Sequence, residues 1–294
     1  MRKIVLTGGT GFIGRNLLES SLIERYEILA PTRKEMDLLD EQSVNDFLSD
    51  NQCDVLIHSA IKPANRAASD LSRIFADNSR MFFNLIQNRQ AFTRLIHLGS
   101  GSGYDMRYYS PKMKETDFGK HVPVDELGLY KYMVGKFAEI DHCVVDLRIF
   151  GIYGKYEDYS IRFISNMICK ALLGLPLTIK QDRSFDYIFV EDLPEILSYF
   201  IENLPVFPAY NITPPKSIQL SHIAQIVLSI GKFDLPIVIK EPGLGKEYSG
   251  DNTRLKQEIG ELRLTRIEEG ISKLLTYYKE NIDSIDVTKL LYDK

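Results

Sequence analysis

A tyrosine and a lysine stand four residues apart at Tyr132 and Lys136. On a helix this spacing places both side chains on one face, where the ammonium favours the phenolate and makes the phenol a better acid. A phenol arranged in this way can donate a proton to a carbonyl oxygen. The pair predicts a carbonyl reductase in which Tyr132 is the acid and Lys136 is its charged partner.

Hydroxyl groups cluster between Leu98 and Gly103, just after an apolar β run. Open parallel sheets bind their ligands at the carboxyl ends of the strands. Either Ser100 or Ser102 can hold a substrate oxygen at that place. A flexible Gly/Ser turn without a function is the plain alternative.

A glycine-rich turn, GGTGFIG over residues 8–14, follows the first apolar run and leads straight into a helical pattern. Its glycines allow a tight turn, a close approach of the backbone to a pyrophosphate, and close packing of the helix on the strand. An ordinary strand-to-helix turn is the alternative, but the strand before it and the helix after it favour a dinucleotide site. The predicted cofactor contacts are Gly8, Gly11, Phe12, Ile13 and Gly14, with Ala60 after the third strand.

The end of the second strand decides between NAD and NADP. An acidic residue there binds the ribose 2′-hydroxyl, whereas an arginine accepts the 2′-phosphate. The segment here is Ala30 to Lys34, APTRK, which contains Arg33 and no acid. We therefore expect NADP(H), with NAD as the alternative. Arg15 can reach the same phosphate, and Asp40 can contact the adenine.

The elements that must position these groups alternate along the first half of the chain. Short apolar runs predict strands, and the amphipathic stretches between them predict helices. This alternation is typical of an α/β protein with a doubly wound parallel sheet of Rossmann type. The predicted strands are Ile4 to Thr7, Glu27 to Ala30, Val55 to His58, Leu95 to Leu98 and Val144 to Ile149. The predicted helices are Gly11 to Glu24, Ser43 to Ser49, Leu71 to Asn88 and Leu129 to Asp141.

The second half of the chain has a less regular pattern, in which prolines punctuate short elements. We predict a Rossmann domain over residues 1–150, to which residues 184–204 return. Residues 151–183 and 205–294 are predicted to form a smaller C-terminal α/β lobe for the substrate.

Composition excludes several classes of function. The chain of 294 residues has 36 Lys and Arg against 40 Asp and Glu, a net charge of −4, so no basic field attracts nucleic acid or an acidic membrane. The N-terminal segment contains neither a membrane span nor a signal-peptide pattern, and we expect a cytoplasmic protein. Three cysteines and five histidines without ligand spacing predict neither a disulfide framework nor a metal site.

Together these motifs resemble the extended short-chain dehydrogenase/reductase family, in its nucleotide-sugar epimerase/dehydratase branch. The shared features are GGTGFIG, a Ser-x-x-x-Tyr segment that begins at Ser100, Tyr-x-x-x-Lys, LRIFGIYG from Leu147 and YIFVED from Tyr187. The resemblance selects Ser100 as the catalytic serine, because the family's serine lies four positions before the tyrosine of that segment. It also matches Asn78 with a helix asparagine that steadies the active site.

Within this family the chain is most similar to GDP-fucose synthase and related NADP-dependent sugar reductases. The resemblance implies hydride transfer from NADPH to a nucleoside-diphosphate 4-keto-6-deoxy sugar, with Lys136 on the nicotinamide ribose, and a homodimer. Ser102 stands where the fucose enzyme has an epimerisation cysteine, and Arg162 falls near its catalytic histidine. Simple reduction without epimerisation is therefore the expected reaction.

The predicted substrate contacts are Ser102, Tyr104, Arg162 and Arg254, of which the arginines would meet a diphosphate. Two other functions stay open. A 4-epimerase that keeps NAD tightly bound is disfavoured by Arg33. A non-catalytic nucleotide sensor of the same fold is disfavoured because Tyr132 and Lys136 are both present.

Overall fold

The computed structural model describes residues 1–64 and 67–291. The strands are β1 (Lys3–Thr7), β2 (Glu27–Leu29), β3 (Cys53–His58), β4 (Phe92–Ser100), β5 (Val144–Ile149), β6 (Ile152–Tyr153), β7 (Leu177–Asp182), β8 (Ser184–Phe185), β9 (Ile188–Phe189), β10 (Ala209–Ile212), β11 (Ile218–Gln219) and β12 (Ile237–Leu244). The α-helices are α1 (Phe12–Leu18), α2 (Leu22–Arg25), α3 (Glu41–Asp50), α4 (Ile74–Ile86), α5 (Glu126–Ala138), α6 (Phe163–Leu172), α7 (Leu193–Glu202), α8 (Leu220–Gly231), α9 (Thr253–Ile259) and α10 (Ile267–Glu280).

A central sheet of parallel strands confirms the predicted α/β fold. Its order is β10-β5-β4-β3-β1-β2. The chain moves from β1 outward to β2 and then crosses back to β3 on the other side of β1. This reversal opens a crevice at the carboxyl ends of β1 and β3, which is where such sheets bind dinucleotides.

Alternate side chains of β1 enter different cores on the two faces of the sheet. Ile4 and Leu6 pack in one core with Phe200 of α7. Val5 packs in the other core with Phe82 of α4. Because both faces are covered by helices, the strand is apolar throughout rather than alternating with polar residues.

Helix α5 begins at Glu126, earlier than the predicted start near Leu129. The side chain of Asp125 caps it by accepting a hydrogen bond from the backbone N–H of Gly128 at 2.7 Å. This cap brings Leu127 into the first turn of the helix. The earlier start becomes important at the active site, because it sets which residues of α5 face the sheet.

The second lobe has its own core, in which α6, α8 and α10 pack around β7 through side chains such as Ile168, Ile223 and Leu274. The chain returns to the central sheet over a longer stretch than residues 184–204. Strand β10 pairs with β5, although it lies inside the stretch 205–294 that was predicted to belong to the lobe. Residues 292–294 of that stretch lie outside the described part of the chain.

No helix within residues 1–64 and 67–291 combines the length and the apolar character needed to cross a bilayer.

Candidate active site

The turn between β1 and α1 is shaped by glycines that have no room for a side chain. Gly8 has φ +74, and a Cβ atom there would lie 2.7 Å from the backbone nitrogen of Ala60. A Cβ atom on Gly14 would overlap the carbonyl oxygen of Gly8. Gly11 occupies the N-cap of α1, and its N–H donates to Gly8 O at 3.0 Å. The backbone therefore forms the open cradle that a pyrophosphate requires.

Three predicted contacts lie in the first turn of α1. Phe12 is half-buried beside Gly154, and Ile13 packs against the core below the sheet. Arg15 points elsewhere: its guanidinium lies 3.7 Å from the ring centroid of Tyr156. Arg15 does not line the cleft at the end of β2, so its predicted contact with a ribose phosphate is corrected.

A cleft of about 510 Å³ lies beside this turn and is lined by Gly8, Thr10, Arg33, Leu38 and Ala60, among others. Arg33 lies at the edge of this cleft, and its side chain is 77% exposed. Its Nε forms an ion pair with a carboxylate oxygen of Asp37 at 3.1 Å. An exposed pair of this kind is weak and can exchange for a phosphate. The glycine cradle and the cation beside it fit a dinucleotide cofactor.

Asp40 does not contribute to this cleft. Its carboxylate caps α3 by accepting from the backbone N–H groups of Gln42 at 3.0 Å and Ser43 at 3.4 Å. The predicted adenine contact is therefore corrected. The acidic residues that do line the cleft are Asp37, Asp70 and Asp77, and the Asp37 carboxylate accepts from the N–H of Leu39 at 3.0 Å.

Asn78 on α4 is completely buried and holds the loop after β3. Its Oδ1 accepts from the Lys62 N–H at 2.8 Å, and its Nδ2 donates to the Lys62 carbonyl at 3.0 Å. The Lys62 ammonium binds Asp70 at 2.7 Å and Asp77 at 2.8 Å. Asn78 therefore fixes one wall of the cleft rather than facing a ligand directly.

Ser100 ends β4 at the same edge of the sheet. Its Oγ accepts a hydrogen bond from the N–H of Ser102 at 3.1 Å. Within the described residues, the Ser102 hydroxyl is buried and has no hydrogen-bond partner. A buried hydroxyl without a partner is costly unless a ligand satisfies it, which agrees with the predicted role of Ser102 as a substrate contact.

Lys131 is the lysine of α5 that faces the end of β4. Its ammonium donates to the Leu98 carbonyl oxygen at 2.8 Å and lies 3.2 Å from Nε2 of His97. Only 7% of the residue is exposed. Burial lowers the pKa of Lys131 to about 8, and the nearby carboxylate of Asp146 opposes this shift.

His97 makes the buried position of Lys131 tolerable. Its Nδ1 lies 2.7 Å from a carboxylate oxygen of Asp146. Burial, assisted by the charge of Lys131, lowers the pKa of His97 to about 4, so the ring is neutral at pH 7. We assign its proton to Nδ1, because the carboxylate can only accept, and Nε2 then accepts from Lys131. Asp146 also binds Nε of Arg148 at 2.8 Å.

The structure does not bring Tyr132 and Lys136 to this edge of the sheet. At about 100° of rotation per residue, Lys136 lies about 140° around α5 from Lys131. Its ammonium binds Glu139, and 42% of its side chain is exposed. The Tyr132 ring stacks on Phe118 with the centroids 5.3 Å apart. The lysine beside the strand ends is therefore Lys131, which the sequence reasoning missed.

The position four residues before Lys131 is occupied by Leu127. It shares the face of α5 with Lys131, since four residues make a rotation of about 40°. Its side chain is half-buried and packs against the core between the sheet and α4. An aliphatic side chain therefore stands where a Tyr-x-x-x-Lys motif in this register would place the phenol.

Tyr104 and Arg254 are engaged in internal contacts and do not face the cleft. The Tyr104 residue is 2% exposed, and its hydroxyl donates to Oδ1 of Asn211 at 2.7 Å. The Arg254 guanidinium donates to the Ala209 carbonyl at 3.1 Å and lies 4.4 Å from the ring centroid of Phe207. Both side chains are engaged in contacts around β10, and their role as substrate contacts stays a prediction.

Arg162 occupies the N-cap of α6 in the second lobe and is exposed. Burial raises the pKa of Tyr187, and the charges of Arg162 and Arg183 oppose that shift. Arg162 also acts on Tyr248, which lies in hydrogen-bonding reach of Ser100. The charge of Arg162 therefore acts on a tyrosine near the end of β4.

A model of the NAD dependent epimerase/dehydratase family matches residues 4–213. GDP-L-colitose synthase of Yersinia pseudotuberculosis is 22% identical over 303 residues, which cover 94% of this chain and 97% of that protein. GDP-L-fucose synthase of Azorhizobium caulinodans is 31% identical over 120 residues, covering 40% of this chain and 38% of that protein.

Solved structures show the same fold. GDP-mannoheptose C4 reductase of Campylobacter jejuni with NADP bound superposes with a TM-score of 0.82 at 20% identity, covering 95% of this chain and 98% of that chain. GDP-L-fucose synthetase of Naegleria fowleri bound to NADP gives a TM-score of 0.81 at 14% identity, covering 96% of this chain and 95% of that chain.

Proposed function

The chain belongs to the NAD dependent epimerase/dehydratase family, and from that premise we propose that it is an NADPH-dependent reductase of a nucleoside-diphosphate 4-keto-6-deoxy sugar. Membership makes it an NAD(P)-dependent oxidoreductase. The choice of NADPH, the direction of the reaction and the class of sugar are the proposal. We also keep the prediction that the protein is cytoplasmic and needs neither nucleic acid nor a membrane.

The observation that carries the proposal is the placement of three features at one edge of the sheet. The glycine cradle and Arg33 suit the pyrophosphate and ribose phosphate of NADP, while Ser100 and Lys131 stand at the end of β4. Arg162 in the second lobe faces the same place. The arrangement supports a ketone held between a cofactor on one side and an anchored diphosphate on the other.

The residues of this chain divide the work as follows. When bound, NADPH supplies the hydride. Ser100 would donate a hydrogen bond to the ketone oxygen and orient the carbonyl. Lys131 would bind the hydroxyls of the nicotinamide ribose, the role that the family resemblance gives to the lysine. Asn78 keeps the loop beside the cleft in place through its two bonds to Lys62.

Reduction is favoured over the 4-epimerase alternative by Arg33. A cation at the ribose end supports NADP, and an enzyme that consumes its cofactor must release it after each turnover. Ser102 and Arg162, which by resemblance replace the epimerisation cysteine and histidine, support the same choice. GDP-L-colitose synthase and GDP-mannoheptose C4 reductase, to which the chain is similar, are named for GDP sugars. GDP-linked ketosugars are therefore the first substrates to try.

The test is the nucleotide content of the purified protein, followed by titration with NADPH and NADH and by a panel of nucleotide 4-ketosugars. We expect NADPH to bind more tightly than NADH, to exchange readily and to be oxidised when a ketosugar is added. Stoichiometric NAD that survives purification would overturn the proposal in favour of an epimerase. Binding of NADPH without oxidation by any ketosugar would instead leave a nucleotide sensor.

A homodimer through α4 and α5 stays a prediction, and the exposure of their side chains indicates which of them could form it. Phe82 is completely buried and Met81 is 9% exposed, so both belong to the core rather than to an interface. Phe83 of α4 is 38% exposed, and Ile140, which follows the end of α5, is 79% exposed. These two residues are the ones to replace when the oligomeric state is measured.

A further inference from the structure

The reduction proposed above needs a proton donor, and α5 does not supply one beside Lys131. Leu127 has no acidic proton, and its side chain packs against the core. Tyr132 stacks on Phe118 on a different side of the helix. A hydroxyl donor is therefore expected on another element that reaches the end of β4.

Tyr248 in the second lobe has its hydroxyl at that place. A Cβ atom built on Gly101, the residue after Ser100, would lie 2.5 Å from the Tyr248 hydroxyl oxygen. Only a glycine at position 101 leaves room for this approach. The hydroxyl lies in hydrogen-bonding reach of both Ser100 and Tyr109. Ser100, Tyr248 and Tyr109 thus form a row of hydroxyls that ends at the predicted carbonyl site.

The backbone and ring of Tyr248 are held firmly. Its N–H donates to the Ser184 carbonyl at 2.9 Å, and its own carbonyl accepts from the N–H of Asp186 at 3.0 Å. Its ring lies 5.2 Å from that of Phe150 and 5.1 Å from that of Phe185, measured between centroids. An anchored phenol loses little rotational freedom when it binds a ligand, which is what a catalytic acid requires.

We propose that Tyr248 is the proton donor of this enzyme. It would have the role of the phenol that the Tyr-x-x-x-Lys motif places four residues before the lysine, a position occupied here by Leu127. This inference rests on the proposed ketosugar reduction. It assigns the acid to the second lobe, so that residues of both lobes form the catalytic group.

The step balances as a two-electron reduction. Hydride adds to the carbonyl carbon, a C–H bond forms, and the π bond between carbon and oxygen breaks. The oxygen takes the proton of Tyr248 while Ser100 holds it in position. The Tyr248 phenolate regains a proton from solvent through the Tyr109 hydroxyl, which donates to the Gly101 carbonyl in the resting protein. The sum is a ketone, NADPH and a proton giving an alcohol and NADP⁺.

The electrostatics of Tyr248 keep its proton in place until the reaction needs it. Burial raises the pKa of Tyr248 to about 12, while the bonds to Ser100 and Tyr109 and the charge of Arg162 oppose the increase. The phenol is therefore protonated at neutral pH.

Tyr248→Phe is the decisive variant, and Tyr132→Phe is its matched control, since both remove one hydroxyl from a half-buried tyrosine. We expect Tyr248→Phe to lower the turnover of NADPH with a ketosugar by about 10²-fold or more, the usual contribution of a general acid. Tyr132→Phe should remain within about 2-fold of the parent protein, because its ring and not its hydroxyl makes the contact with Phe118.

A second readout does not depend on turnover. The protein loaded with NADP⁺ binds the ketosugar but cannot reduce it, so calorimetry measures the hydrogen bond to the ketone oxygen. Tyr248→Phe should weaken this binding by about 3- to 10-fold and leave the affinity for NADPH unchanged, as the loss of one neutral hydrogen bond predicts. In the Tyr248→Phe background, Leu127→Tyr should restore part of the turnover by returning a phenol to the position beside Lys131.

The outcomes separate the two proposals. A parent protein that neither binds nor reduces any ketosugar overturns the proposed function and this inference together. A parent protein that is active while Tyr248→Phe keeps full turnover and full ketosugar binding overturns only the inference. Loss of turnover with unchanged NADPH affinity and partial rescue by Leu127→Tyr supports it.

Discussion

In the turn between β1 and α1, backbone atoms occupy the space that side chains would otherwise fill. The Cβ contacts at Gly8 and Gly14 are with backbone atoms of the turn itself and of the neighbouring strand end. At the other end of the cleft, α5 and β4 depend on side chains from distant elements. Lys131, His97 and Asp146 come from three elements and are joined only by their terminal atoms.

The two regions differ in how a change of residue or of helix rotation affects them. A steric rule at the glycine turn is local, and any residue with a Cβ atom breaks it at once. The polar group at α5 depends on the rotation of a helix, where a shift of five residues moves a side chain through about 140°. Two lysines of the same helix are then candidates for one role, and burial together with the contacts to His97 and Leu98 distinguishes Lys131 from Lys136.

The largest predicted effect tests this choice of lysine. Lys131→Met should lower the turnover of NADPH with a ketosugar by about 10²-fold or more, because it removes the cation beside the cofactor and the end of β4. Lys136→Met, which removes the partner of Glu139 at the surface, should change turnover by less than about 2-fold. Steady-state kinetics of the pair measures both. A severe defect in Lys136→Met with little effect in Lys131→Met would return the site to the register first predicted.

The glycine turn was predictable because its signal is the absence of side chains at fixed positions, directly after a strand. Asn78 was identified only through the family resemblance, and in the structure its two bonds to Lys62 are made to backbone atoms. The alternation of strands and helices also predicted the doubly wound parallel sheet, but not that β10 closes its far edge. Strand β10 is four residues long and its pairing with β5 is not encoded locally.

The register of α5 could not be predicted because two patterns overlap in it. Tyr132 and Lys136 have the residue types and spacing of the Tyr-x-x-x-Lys motif. Lys131 instead has the position beside the end of β4, but no tyrosine lies four residues before it. One signal was available: Lys131 lies between Tyr130 and Tyr132 in an otherwise apolar segment, and a lysine in such a segment needs a buried partner. The N-cap at Asp125 was a second signal, because it fixes where the first turn of the helix starts.

A smaller effect is expected from Gly14→Ala, which tests the steric rule at the turn. Its Cβ atom would overlap the Gly8 carbonyl, so the turn must shift, and we expect NADPH affinity to fall by roughly 10- to 100-fold. Gly260→Ala is the control: its φ of 77 is positive, unlike that of Gly14, but a Cβ atom there meets nothing within 4 Å. It should cost about 1 kcal/mol of stability and leave NADPH binding unchanged. Equal NADPH affinity in both variants would contradict a pyrophosphate at this turn.

Arg33 should contribute a factor of about 10 to the ratio of NADPH affinity to NADH affinity. Arg33→Ser removes the cation at the ribose end of the cleft, so NADPH should bind about 10-fold less tightly while NADH affinity stays the same, as expected for one charge-assisted contact. Arg15→Ser provides the control, because its guanidinium lies on Tyr156 and not in the cleft. Fluorescence titration with both nucleotides gives the ratio, and an unchanged ratio in Arg33→Ser would remove the argument for NADP.

The smallest effect concerns what the buried lysine does to the stability of the protein. Burial lowers the pKa of Lys131 from 10.5 to about 8, so between these values the unfolded chain binds more protons than the folded protein. The contribution of Lys131 to the free energy of unfolding therefore rises with pH across that window. At neutral pH its buried charge destabilises the folded protein. Lys131→Met lacks this dependence, while the other lysines and tyrosines titrate equally in both proteins. The unfolding free energy of the parent minus that of Lys131→Met should increase by roughly 1 to 3 kcal/mol between pH 8 and pH 10.5, as measured by urea denaturation. A difference that stays constant with pH would mean that Lys131 is solvated. The contrast between a turn built from backbone atoms and a helix face that depends on buried polar side chains would then not hold for Lys131.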